Sequence, residues 1–155
     1  MEQSVWRYEV VARSDGHGVS RATCKEAEPI PFDTSAGPTE AWFGPAELLA
    51  TSLAACLLKN LARLAPKMRI SYSGAEVRVT AIRVEDPPRI SRLEYVLQVR
   101  TEEPDERIAR LADRMVRSST VHNTLSKACS VSGAVVREPP QAGAEPVGGG
   151  GGGVP

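Results

Sequence analysis

The chain has 155 residues, 41% of them hydrophobic and 25% charged, which fits one globular domain and shows no compositional extreme. Nineteen basic residues balance nineteen acidic ones, which argues against an electrostatic nucleic-acid binder. Cys24, Cys56 and Cys129 lie far apart with no CxxC spacing, and His17 and His122 join them in no ligand pattern. We therefore expect no metal and no cofactor. The first ten residues contain neither the basic region nor the apolar run of a leader, and no stretch reads as the roughly 18 apolar residues of a membrane span. The resulting expectation is a soluble, cytoplasmic protein without a membrane partner.

Residues 4–13 alternate, with Trp6, Tyr8, Val10 and Ala12 opposite Arg7, Glu9 and Arg13, the period of a half-buried strand. The turn 14–18 carries Asp15-Gly16 and Gly18, so residues 18–25 should return as the second strand of a hairpin, with Cys24 on it. From Ala27 to Gly44, three prolines and two glycines leave no plausible element. Loops of that length in a compact domain tend to carry function. Ile30, Phe32, Trp42 and Phe43 are too apolar for an idle solvated loop, so Phe32, Trp42 and Phe43 are candidates to line a substrate pocket. The alternative is a flap that merely completes the core.

Residues 44–67 read as one buried helix. Pro45 suits the first turn, Glu47 favours the positive end of the dipole, and Pro66 stops the run. Between Ala46 and Leu58 only Glu47, Thr51 and Ser52 are polar, so several faces should be covered and the helix should sit centrally. Its small residues would let a partner helix approach closely. Cys56, in the middle, has two readings. It can be a small core hydrophobe. It can also be a reactive thiol, but a free thiol with a pKa of about 8.5 is mostly protonated at neutral pH, so a nearby charge or donor is needed. Lys59 at i+3 and Asn60 at i+4 share its face and could supply them.

Residues 75–85 and 89–101 should form long strands joined across Asp86-Pro87-Pro88, with Leu93, Tyr95, Leu97 and Val99 on a packed face. The apolar phase of the first strand switches near Ala81, which predicts a bulge. Pro104, Asp105 and Glu106 open an amphipathic helix with Ile108, Leu111, Ala112, Met115 and Val116 on one side and a solvated arginine face on the other. A short helix over 118–128 and a closing strand over 130–137 follow. The tail 138–155 should be disordered, leaving residues 1–137 as the domain.

Two further observations are comparative. PAELLATSLAAC at residues 45–56 resembles the signature of the OsmC/Ohr family of hydroperoxide-handling proteins, and DPPRISRLEYVLQV at 86–99 and STVHNTLSKA at 119–128 resemble that family's second-half strand and second cysteine motif. The similarity spans roughly residues 5–137. It implies an α+β domain in which antiparallel sheets wrap around a central helix, assembled as an intertwined homodimer. It also implies a thiol-dependent reduction of organic hydroperoxides, with Cys56 as the peroxidatic residue and an arginine and a glutamate that hold the sulfur. Arg13 resembles the arginine, and Glu47 lies one residue beyond the glutamate position, which is Ala46 here. The second cysteine is replaced by Ser119 in Ser119-Thr120-Val121, with His122 next to it as a possible charge donor. A one-cysteine cycle that needs an external thiol reductant is the expected activity; a peroxidase-inactive member that binds a small apolar ligand is the alternative.

Overall fold

The computed structural model describes residues 4–37 and 40–139, so the expected disorder of the tail falls, from residue 140 on, outside the described residues. The chain divides into two units, Met1–Leu48 and Leu49–Pro155.

In the first unit three short strands, β1 (Val11–Ser14), β2 (Val19–Thr23) and β3 (Ile30–Asp33), form an antiparallel sheet in that order. The turn between β1 and β2 is built as its residues suggest. Gly16 takes a φ of 79°, and the Asp15 carboxylate accepts from the His17 backbone N–H at 2.9 Å. Three expectations are corrected here. Residues 4–10 are not in a strand, and Val5, Trp6, Tyr8 and Val10 are exposed, because alternation supplies a face but not the neighbouring strand that it must pair with. Cys24 lies just past the end of β2. The supposedly structureless stretch contains β3, whose Pro31 is tolerated because β3 is an edge strand and need not donate outward. Inside the unit, Ser20 is buried and shares a 2.8 Å hydrogen bond with the Thr34 hydroxyl.

The second unit contains most of α1 (Pro45–Leu64), a 3₁₀ turn (Pro66–Met68), β4 (Gly74–Glu85), β5 (Pro88–Arg100), α2 (Asp105–Arg117), α3 (Thr120–Leu125) and β6 (Ser130–Glu138). β4 and β5 pair antiparallel, with a register shift after Ile82 that leaves Ser91 of β5 as the extra residue. The expected bulge is therefore present, carried by the partner strand. β6 closes the sheet as expected, but it runs parallel to β5, so this sheet is mixed rather than antiparallel. A parallel pairing requires a crossover, and α2 and α3 provide it.

Leu93, Tyr95, Leu97 and Val99 form the buried face of β5 as their alternation requires, and they pack in one cluster with Ile108, Leu111 and Met115 of α2 and with Leu53, Leu57, Leu61 and Leu64 of α1. The α1 residues recur at i, i+4, i+8 and i+11, so within the chain a single stripe is buried. Ala55, Leu58 and Ala62, on the other side, are exposed in the single chain. The segment Pro45–Met68 also reaches the length and composition of a membrane-crossing helix, with a mean hydropathy of 1.4 over an 18-residue window, contrary to the expectation that no stretch does. Its buried stripe gives it the use of a core helix. The arginine face of α2 is not wholly idle. Arg107 is half-buried, and its guanidinium donates to the carbonyls of Met68 and Arg69 at 2.7 and 3.0 Å, which ties α2 to the turn after α1.

Candidate functional site

Cys56 lies in the fourth turn of α1, half-buried, one residue before the fully buried Leu57. Asn60 and Arg63 follow it at i+4 and i+7, so the three side chains ascend one face of the helix. The Asn60 amide Nδ2 donates to Cys56 Sγ at 3.8 Å, and its Oδ1 accepts from Arg63 Nη2 at 2.7 Å. Asn60 is only 5% exposed, a costly place for an amide unless both ends are satisfied, as they are here.

The second element of the site arrives from the break between α2 and α3. Ser118 ends α2, its hydroxyl bonding back to the Arg114 carbonyl at 2.7 Å, and Ser119 caps α3. The cap is a serine for the usual reason: Ser119 Oγ accepts from the otherwise orphaned His122 N–H at 3.3 Å. Fully buried, the same Oγ lies 3.1 Å from Cys56 Sγ. Two side chains 63 positions apart in sequence are thus in contact.

His122 is joined to this group through its backbone. Its imidazole stands edge-on to Tyr95, with ring centroids 6.3 Å apart, and Nδ1 lies 3.3 Å from the Ser126 hydroxyl. Burial pushes the Tyr95 phenol above its ordinary pKa, so the ring is a neutral wall. Lys59 is exposed, and no hydrogen bond or ion pair ties it to the sulfur. Arg13 lies exposed on β1, Phe32 is half-buried on β3, and Trp42 and Phe43 are exposed after it, where the Phe43 carbonyl accepts from Asp33 N–H at 2.9 Å. Those four residues belong to the first unit, while Cys56, Asn60, Arg63, Ser119 and His122 belong to the second. Glu47 is in the exposed first turn of α1. Cys24, Cys56 and Cys129 are all free thiols.

Of the partners that the helix pattern offered to Cys56, Asn60 is in place. Arg63 was missed, although its i+7 spacing was a usable signal. Ser119 could be placed beside the sulfur only through the family resemblance, because the two residues are 63 positions apart. Chemically, the group presents a partly accessible sulfur to one amide donor and one hydroxyl, an arrangement that can hold an anionic sulfur or an oxygen added to it.

A family model described as OsmC-like protein matches residues 38–133. Among solved structures, the OsmC-like protein of Mycoplasma pneumoniae superposes with a TM-score of 0.77 at 21% identity, covering 85% of this chain and 97% of that one. The organic hydroperoxide resistance protein OhrB of Bacillus subtilis gives 0.59 at 21% identity over 86% and 100% of the two chains. An organic hydroperoxide resistance protein from Elizabethkingia anophelis gives 0.65 at 13% identity, over 88% and 100%. No curated protein matches the chain. The structural likenesses agree on the mixed α and β fold, and the family match covers well over half of the sequence: the chain belongs to the OsmC-like family.

Proposed function

We propose that this chain is a thiol-dependent peroxidase for organic hydroperoxides that works with one reacting cysteine, Cys56. The observation that carries the reading is the 3.1 Å contact between Cys56 Sγ and Ser119 Oγ, at the position where the resemblance calls for the second cysteine. In the proposed cycle the Cys56 sulfur attacks the terminal oxygen of the hydroperoxide. The O–O bond breaks, the alcohol leaves with the proton, and the sulfur is oxidised to a sulfenic acid. A serine cannot resolve that species, so an external thiol attacks the sulfur, expels water and forms a mixed disulfide. A second equivalent of thiol then releases Cys56 and is itself oxidised to the disulfide.

The same reading takes the chain as a homodimer. The uncovered side of α1 with Ala55, Leu58 and Ala62 supports this, as do the exposed Val5, Trp6, Tyr8 and Val10. A second reading, an inactive member that binds a small apolar ligand, is favoured by the exposure of Ile30, Trp42 and Phe43 in the first unit. Intact-mass analysis after one equivalent of cumene hydroperoxide separates the two. Addition of one oxygen to Cys56 ahead of Cys24 and Cys129, with turnover by a small dithiol that Cys56→Ser abolishes, is the expected result. A Cys56 that stays reduced under the same treatment removes the peroxidase reading in favour of ligand binding.

A further inference from the structure

We propose, building on the reading of Cys56 as the reacting residue, that Asn60 is a catalytic residue that stabilises the anionic sulfur and that Arg63 is the positioning residue that fixes its amide. An asparagine side chain can present either its oxygen or its nitrogen to a neighbour. Here the choice is forced. Arg63 has only donors, so the 2.7 Å contact from its Nη2 must fall on Oδ1, and the amide then has only N–H to offer to Cys56. With Asn60 95% buried by the complement of its 5% exposure, water cannot easily substitute for either partner.

Ser119 completes the arrangement. Its Oγ already accepts from the His122 N–H, so its own proton is available for the sulfur. A protonated thiol can satisfy the Ser119 oxygen but gains little from a second donor, whereas a thiolate accepts from Ser119 O–H and Asn60 N–H together. Both donors therefore converge on the sulfur, and the guanidinium beyond Asn60 polarises the amide N–H toward it. After oxygen transfer the same two donors face the sulfenate oxygen or its sulfur. This relay runs along a single helix, so it does not depend on Arg13 or Glu47 of the first unit.

The test uses the full chain in a Cys24→Ser/Cys129→Ser background, reading by mass spectrometry the rates at which iodoacetamide and cumene hydroperoxide modify Cys56 across pH. Asn60→Asp keeps the shape and the bond from Arg63 but turns a carboxylate oxygen to the sulfur; Asn60→Leu removes the donor. Each should slow both reactions near neutral pH by about 10- to 100-fold, the scale of one hydrogen bond to a charged acceptor. Arg63→Met, at an exposed position that leaves the core intact, should slow them by about 3- to 10-fold, and Arg63→Lys should restore most of the loss. If hydroperoxide does not oxidise the parent protein but alkylation still falls in the variants, the peroxidase reading fails and this inference stands. If hydroperoxide oxidises parent, Asn60→Leu and Arg63→Met equally fast, the inference fails and the peroxidase reading stands. A Cys56 inert to both reagents overturns the inference as well, because two converging donors would then not activate it.

Discussion

The two sheets of this protein are made of similar residues and differ in what they bury. β1, β2 and β3 are 4, 5 and 4 residues long, whereas β4, β5 and β6 are 12, 13 and 9. Among the described residues, all the buried apolar side chains lie between Leu53 and Met115, in the second unit. Among its described residues the first unit buries only Ser20, and it leaves Trp6, Tyr8 and Ile30 exposed. A short three-stranded sheet without a core of its own is marginal in water, so the first unit needs cover that it does not supply itself. The second unit holds the apolar core, and the cysteine site is built inside it.

The sharpest way to break that contrast is to empty the larger core. Leu97→Ala, at a side chain with no exposure, should lower unfolding stability by about 3 kcal/mol, read as a shift in the denaturant midpoint at unchanged slope. Gly133→Ala comes next. Gly133 pairs with Tyr95, and a methyl group there would run into the Tyr95 carbonyl and ring, so a loss of about 2 kcal/mol is expected, and a shifted His122 resonance should accompany it. A null result would mean that β6 can move off β5 without cost.

At the site itself, Ser119→Ala removes a cap and should cost about 1 kcal/mol of thermal stability. Ser119→Cys sharpens the comparison chemically: with the 119 side chain already in contact with Sγ, one equivalent of hydroperoxide should leave a Cys56–119 disulfide, seen as the loss of two thiols without retained oxygen. Retention of the oxygen would show that the two positions do not approach closely enough to bond. The smallest effect belongs to the first unit. Trp6→Ser with Tyr8→Ser should change monomer stability by less than about 0.5 kcal/mol, because neither ring is packed within the chain. If a partner subunit covers them, sedimentation should instead show a weaker dimer.

What could be read in advance follows the same division. The β5 face and the α2 stripe were legible because a long run of one period, packed on one side, leaves an unambiguous pattern. β3 was not, because four residues with Pro31 among them give no period. Nor was the non-strand character of residues 4–10, since pairing depends on a neighbour that alternation does not name. The direction of β6 was equally hidden: the residues of a single strand look the same in either orientation. Within the site, Asn60 follows from helical spacing. Ser119 does not, because its approach to Cys56 is a product of tertiary packing across 63 residues, and only the family resemblance singled it out.

Sequence separation also sets the order in which the site can come together. Hairpins and single helices form from neighbours, but a parallel pair must wait for the whole crossover, and contacts of long sequence separation form slowly. Cys56, Asn60 and Arg63 can therefore line up as soon as α1 winds, while the hydroxyl of Ser119 reaches the sulfur only across 63 residues that include all of β4, β5 and α2. During synthesis the sulfur passes through a stage with one donor instead of two, and its full environment becomes a late checkpoint of folding.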